Sequence, residues 1–319
     1  MKSLKNIPLN RIDLSDATFS VRFMADFQDL QVSIREIGLI QPVLLKEKSS
    51  GFQVVSGFRR IGALPELGID EALSWVTDET DDLKLFTEVL HENMTTRGLN
   101  AVEKAIALHK LIHLFDVDRA VVIGRLLPLL SLETHEKILN TFLSLAGMED
   151  GIKAFVLREE VSRSNIRILS AFHPEDRMAL LGPLSSLKLG ENRLREVLTL
   201  LDEVSRRDRI RIREILDRSE IQTALFQEEG SPLQKTEQFK KALLRLRYPR
   251  RQQLEERFRQ RRAKLNLPPV ISLDHSPHFE GRRLKMEFQF ASMEEFRTIL
   301  TSLSQLAEKK ELEEMIEDQ

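Results

Sequence analysis

At Asn100 the hydrophobic pattern changes its period, and that change limits the folds open to this chain. Ahead of it, β-rich runs alternate with helical ones. "NIPLNRIDL" reads as a short strand. "FQDLQVSIREIG" puts Phe27, Leu30, Ile34 and Ile37 on one helical face, with Gly38 as the C-cap. "QPVLLKE" and "FQVVSG" are β-rich and joined by "KSSG" as a hairpin. A short helix "RRIGALPELG", a strand "ALSWVTD" and a helix "DLKLFTEVLHENM" follow. This alternation predicts a small α/β domain over residues 1–99. Asn100 then opens a helix with Glu103 three residues on, a capping-box pattern. Breaks at Pro128, Gly147, Pro174, Pro183 and Gly190 predict a bundle of short helices over 100–225. Polar "FQEEGSPLQ" predicts a linker over 226–238.

Residues 239–319 form a third region. The Arg-rich stretch "KTEQFKKALLRLRYPRRQQLEERFRQRRAKLN" reads as a helix, and "PPVISLDHSP" and "GRRLKMEFQF" as strands. In the second strand Leu284, Met286, Phe288 and Phe290 share a face. A last helix, capped by Ser292 with Glu295, carries the stripe Phe296, Ile299, Leu300, Leu303 and Leu306. An αββα unit this small buries little by itself, so pairing with a second copy is expected. The fold class expected is α+β, with a small α/β N-terminal domain, an all-helical middle and a C-terminal αββα dimerisation domain.

The 319 residues suffice for two or three domains of roughly 100–150 residues. Forty-eight basic side chains nearly cancel fifty acidic ones, so charge placement rather than total charge must identify a nucleic-acid partner. The absence of cysteine excludes disulfides, thiolate nucleophiles and Cys-based zinc sites. The opening "MKSLKNIPLNRIDL" lacks the apolar stretch of a signal peptide, and no run approaches the ~18 apolar residues of a membrane helix. A cytoplasmic protein with no membrane contact is expected.

Two places carry chemistry. Arg59 and Arg60 follow Gly57 at a strand–Gly–helix junction, where backbone N–H groups and the helix dipole favour an anion. A phosphate or a pair of surface carboxylates would answer them equally well. In "HENMTTR", Glu92 and Asn93 offer hard oxygens suited to Mg²⁺ held against a phosphate, and Arg97 can join them. A plain polar helix end is the alternative.

Taken in order, "SIREIGLIQPVLL", "GFQVVSGFRRIGA" and "HENMTTRGLNAVEKAIAL" resemble the N-terminal domain of the ParB family of partition proteins. Ser33, Ile34, Gly38, Gln41 and Pro42 match its first motif, and Gly57, Arg59, Arg60 and Ala63 its second. Glu92 and Asn93 match the third, and Leu99, Asn100, Glu103 and Ala105 the last. The C-terminal "GRRLKMEFQFASMEEFRTILTSL" is similar to the family's dimerisation domain. The resemblance implies a DNA-binding homodimer that binds CTP and Mg²⁺ and closes as a clamp on DNA, nucleoid-associated and partnered by a ParA-type ATPase. It implies that Gly38, Gln41 and Pro42 lie near the base and that Gly57, Arg59, Arg60 and Ala63 cradle the triphosphate. Glu92 and Asn93 would handle phosphates and metal, and Arg22 would match the arginine of a Q-P-R stretch.

Departures from that pattern shape the expectation. Phe58 stands where the family has a glutamate associated with hydrolysis, and Phe orients no water. Ser20 replaces a Gln, and Gly62 replaces a third Arg of the phosphate motif. Thr96 stands at an Arg position with Arg97 one place later, a shift of about 100° around a helix. The expected protein therefore hydrolyses CTP weakly or not at all and is not primarily an enzyme. The alternatives are a ParB-fold transcription regulator, or a nucleotide-dependent kinase or nuclease on the same fold. Sulfiredoxin chemistry is excluded by the lack of cysteine.

For DNA, a helix-turn-helix would fall between Val117 and Leu145, turning near Pro128, with a second helix from Glu133. Its acidic opening (Glu133, Glu136) suits packing at least as well as base reading. His109, His113 and His135 read as structural. The stretch "LRLRYPRRQQLEERFRQRRAK" is dense in arginine, and Arg250, Arg251, Arg257, Arg261 and Arg262 are its candidate backbone contacts.

Overall fold

The structure is a computed structural model that describes residues 2–24, 27–226, 231–275 and 283–317, with Arg251, Gln252 and Glu317 described by backbone alone. It forms two compact units, Met1–Leu181 and Gly182–Gln319.

The first unit opens with β1 (Lys2–Pro8), β2 (Ile12–Asp13), α1 (Gln28–Ile37), β3 (Val43–Lys48) and β4 (Gly51–Ser56). α2 (Phe58–Ala63), β5 (Glu71–Thr77) and α3 (Asp82–Thr96) complete the mixed region. The five strands make one sheet in the order β1-β5-β3-β4-β2. β3 pairs antiparallel with β4 through the expected hairpin and parallel with β5, while β1 joins β5 antiparallel at the edge. The side-chain alternation of a strand explains the core. Val43 and Leu45 on β3 point inward with Val54, Ile61, Leu64 and Ile34, and all are buried. Each such side chain contributes about 1.5–3 kcal/mol relative to exposure. Gly38 ends α1 as expected, its N–H bonding to Ile34 O at 2.9 Å.

The helices that follow are α4 (Ala101–His113), α5 (Arg119–Val121), α6 (Leu127–Leu129), α7 (Glu136–Ala146), α8 (Asp150–Arg158) and α9 (Arg163–Ala171). A π turn, Val122–Leu126, joins α5 to α6. The capping box expected at Asn100 and Glu103 is present. Pro128 itself sits inside α6, since a proline in the first turn of a helix needs no amide partner. The turn expected near it comes at Leu130–Ser131, where the Ser131 N–H bonds to Pro128 O at 2.9 Å and Ser131 has φ +55. α10 (Pro174–Ser186) runs across the division between the units with Pro183 inside it.

The second unit contains α11 (Glu191–Asp208), α12 (Ile212–Leu216), α13 (Ser219–Phe226), α14 (Pro232–Arg247) and α15 (Pro249–Lys264). β6 (Ile271–His275), β7 (Leu284–Phe288), α16 (Met293–Ala307) and α17 (Lys310–Glu317) follow. The expected linker 226–238 is helical from Pro232, where Ser231 and Gln234 form a capping box; its residues 227–230 lie outside the described residues. The long basic helix of the sequence reading is two helices, broken at Tyr248–Pro249, since a proline amide cannot continue the ladder. α14 buries Phe239, Ala242 and Leu243 and packs with α11 and α13, so it belongs to the helical layer and not to the C-terminal strands. β6 and β7 pair antiparallel over Leu265, Leu273, Leu306 and Met315. The last helix also divides, at Glu308–Lys309, into α16 and α17.

Candidate functional site: an arginine-lined cleft

In the first unit a cleft of about 310 Å³ opens between the β4–α2 junction, the loop before α1 and the C-terminal end of α3. Its walls include Arg22, Gln41, Gly57, Arg59, Arg60, Glu92 and Asn93, seven of the ten residues expected around a nucleotide. The other three stand outside it. Ala63 is wholly buried in the core, Gly38 caps α1, and Pro42 meets the site only through its carbonyl.

The junction is built by Gly57. Its φ of +101 is the left-handed conformation that caps α2, and a Cβ there would stand 2.8 Å from Val43 Cγ1. Gly57→Ala is expected to destabilise the domain by about 1–3 kcal/mol, read as a lowered midpoint in denaturant unfolding with unchanged slope.

The two motif arginines then divide. Arg60 donates from Nη1 to Gln41 O at 2.9 Å and Pro42 O at 2.8 Å, pinning the turn before β3. Burial pushes its pKa down and Glu92 pulls it back up. Arg59 faces the cleft beside Arg22, whose pKa is lowered first by burial and then by Arg97, with Glu103 opposing and Arg59 adding to the depression. Arg97 also lines the cleft. The helical 100° rotation does not apply to it, because α3 ends at Thr96 and Arg97 caps it with φ −140.

The carboxylates are few and engaged. Glu92 accepts from Ser56 Oγ at 2.7 Å. Asn93 donates to Val89 O at 2.8 Å and accepts from Arg97 Nε at 3.0 Å, so its oxygen serves the arginine. Glu103, almost wholly buried, takes Arg97 in a two-pronged contact (2.7 and 3.1 Å) and lies 3.6 Å from Arg22. Among the described residues, Arg22, Arg59, Arg60 and Arg97 line the cleft together with Glu92, and Glu103 lies behind Arg97 and Arg22. Such a cluster of guanidinium groups favours an anion. A cation fits only as its companion. Among the described residues no group of three acidic or histidine ligands assembles, so Mg²⁺ here needs phosphate oxygens beside Glu92.

Sequence reading gave Glu103 a capping role and a place in the last family motif but no part in the cleft, and it missed Ser56 and Lys110. Lys110 on α4 donates to the carbonyls of Ala17, Thr18 and Ser20, the loop that leads into the cleft wall. Nothing local in the sequence marks a lysine that acts ninety residues away.

Elsewhere, Arg250, Arg257 and Arg262 are exposed on α15, whereas Arg261 donates to Glu314 O on α17 at 2.8 Å and so ties two helices together. The side chain of Arg251 lies outside the described residues. The helix expected from Glu133 begins at Glu136; Glu133, in the segment before α7, pairs with Arg163, and Glu136 with Arg119.

These features define an α/β domain with an anion-demanding cleft at a strand–Gly–helix junction. Residues 1–94 match the family model of the ParB N-terminal domain. It is 26% identical over 142 residues to a nucleoid occlusion protein of Halalkalibacterium halodurans, covering 44% of this chain and 48% of that one. It is 27% identical over 161 residues to a probable chromosome-partitioning protein ParB of Campylobacter jejuni, covering 50% and 55%. The chain spans about half the length of these curated relatives. Among solved structures it is similar to a C-terminally truncated chromosome-partitioning protein ParB of Caulobacter crescentus complexed with CTP-gamma-S (21% identity, 56% of this chain and 97% of that one, TM-score 0.25). The same protein complexed to the centromeric parS site gives 18% identity, coverage of 61% and 97%, and a TM-score of 0.35. Similarity at these scores defines no shared overall arrangement.

Proposed function

We propose that the chain is a dimeric DNA-binding protein of the ParB type whose N-terminal cleft binds CTP with Mg²⁺, gating a clamp in chromosome or plasmid segregation. The observation that carries this reading is the convergence of Arg22, Arg59, Arg60 and Arg97 on one cleft at a strand–Gly–helix junction. A triphosphate supplies the missing negative charge, and Mg²⁺ beside Glu92 screens it. Arg59, Arg22 and Arg97 bind the anion, while Arg60 holds the Gln41–Pro42 backbone that shapes the pocket. Phe58 lines the cleft and packs against the sheet core. An apolar ring at this position orients no water, which favours holding the nucleotide over cleaving it.

The second unit supports the rest of the reading. Exposed Arg250, Arg257 and Arg262 on α15 suit DNA backbone contact. Exposed Phe290, Met293 and Leu300 give α16 and the strand end an apolar surface for a second copy. A nucleoid location and a ParA-type ATPase partner follow from a segregation role.

Calorimetric titration with CTP, ATP and GTP, each with Mg²⁺ and with or without DNA, tests the reading. CTP binding with little phosphate release is the expected result. Binding to none of the three overturns the clamp and leaves a DNA-binding dimer; family-like CTP turnover overturns the role given to Phe58.

A further inference from the structure

We propose that Lys110 is the positioning residue of the cleft, a protonated clasp that holds the loop Ala17–Ser20 and with it the wall that carries Arg22. This rests on the nucleotide reading above for its functional consequence, but the clasp is defined by the fold alone. Three backbone carbonyls of one turn, those of Ala17, Thr18 and Ser20, converge on a single ammonium, with distances of 3.1 Å to Thr18 and 2.6 Å to Ser20. An ammonium has three N–H donors, so all three are used. The residues that follow and interleave the turn, Phe19, Ser20, Val21 and Arg22, line the cleft. Phe19 and Val21 are buried, and Phe19 packs against Phe115, which stacks on Phe86 of α3. The apolar contacts fix the turn's inner side. Lys110 alone gathers its outward carbonyls onto α4.

A neutral amine has one donor fewer than a three-carbonyl cradle requires, so the clasp depends on the proton. Burial lowers the Lys110 pKa from 10.5 to about 8, and Asp16 in the preceding segment pulls it back up. The other charged groups around it are His109 on α4, whose own pKa is lowered by burial and by His113, Lys153 and Lys110, and Lys153 of α8 beyond it. The sign of the linkage separates loop release from unfolding. A lysine whose folded pKa is depressed is already neutral in the fold, while still protonated in the unfolded chain, between about pH 8 and 10.5. Over that window this group makes the fold more stable as pH rises. A loss of cleft order there is local and runs against the change in global stability.

The test uses the full chain, with Lys110→Met as a permanently uncharged stand-in and Lys110→Arg as a permanently charged one. Amide hydrogen exchange in the ligand-free protein reads the loop, and titration with CTP and Mg²⁺ reads the cleft. In the wild type, protection at residues 19–22, corrected for intrinsic rates, is expected to fall between pH 7 and pH 9.5, and CTP affinity to fall about tenfold. Lys110→Met should show both losses already at pH 7 and little further change. Lys110→Arg, where it retains the clasp, should flatten both profiles. Wild-type protection in Lys110→Met overturns the clasp, and so does a flat wild-type exchange profile. A loop that loosens with no change in CTP affinity overturns the positioning role. If the wild type binds no CTP at any pH, the nucleotide reading fails instead, and the exchange pattern still decides whether Lys110 holds the loop.

Discussion

Glu103→Ala is expected to lower stability by about 3–5 kcal/mol, the cost of breaking a buried ion pair by removing one partner. The carboxylate is 2% exposed and does three things at once. It closes the capping box of α4 by accepting from the Asn100 N–H at 3.2 Å. It receives both guanidinium prongs of Arg97. It also lies 3.6 Å from Arg22. Without it, Arg22, Arg59 and Arg97 repel one another across the cleft with one counter-charge fewer. Urea unfolding measures the loss, and added tripolyphosphate should restore part of it, because a bound anion replaces the missing charge. A variant as stable as the wild type would show that the arginines are hydrated and that the cleft carries no excess charge.

Arg59→Ala should weaken CTP binding by about 10- to 100-fold, the loss of a charge-assisted contact of roughly 1.5–3 kcal/mol, and leave the melting midpoint of the free protein nearly unchanged. Arg60→Ala should behave differently. It removes two hydrogen bonds to the Gln41 and Pro42 carbonyls, so both binding and thermal stability should fall. Adjacent arginines that gave equal losses of binding and of stability would refute the division of labour between them. Calorimetry of the three proteins with CTP and Mg²⁺, beside thermal scans without nucleotide, separates the outcomes.

The N-terminal sheet was legible in the sequence because each strand has one buried face, which imposes alternation, and because Gly38 and Gly57 mark the ends of their elements. The cleft was legible as a set of residues and not as a set of roles. Arg59 and Arg60 are indistinguishable in a string of letters, and only the backbone of Gln41 and Pro42, folded against Arg60, tells them apart. Arg97 was placed by helical arithmetic that fails at a helix end. Asn93 was expected to hold metal, yet its oxygen accepts from Arg97. Pro128 and Pro232 were read as breaks because proline excludes helix interiors, but in the first turn of a helix it is tolerated. Lys110 left no trace, since its partners are backbone carbonyls and any side chain presents those.

Glu103 and Lys110 have a practical consequence for dissecting the molecule. The recognised family domain stops at residue 94, but both of these side chains stand on α4 beyond it. A fragment cut at that boundary would keep Arg22, Arg59 and Arg60 but discard Arg97, the buried carboxylate that pairs with it and lies beside Arg22, and the ammonium that gathers the Ala17–Ser20 turn. The smallest piece that retains the charge balance of the site therefore runs to His113, and the functional boundary of the domain lies one helix later than the boundary of its sequence family.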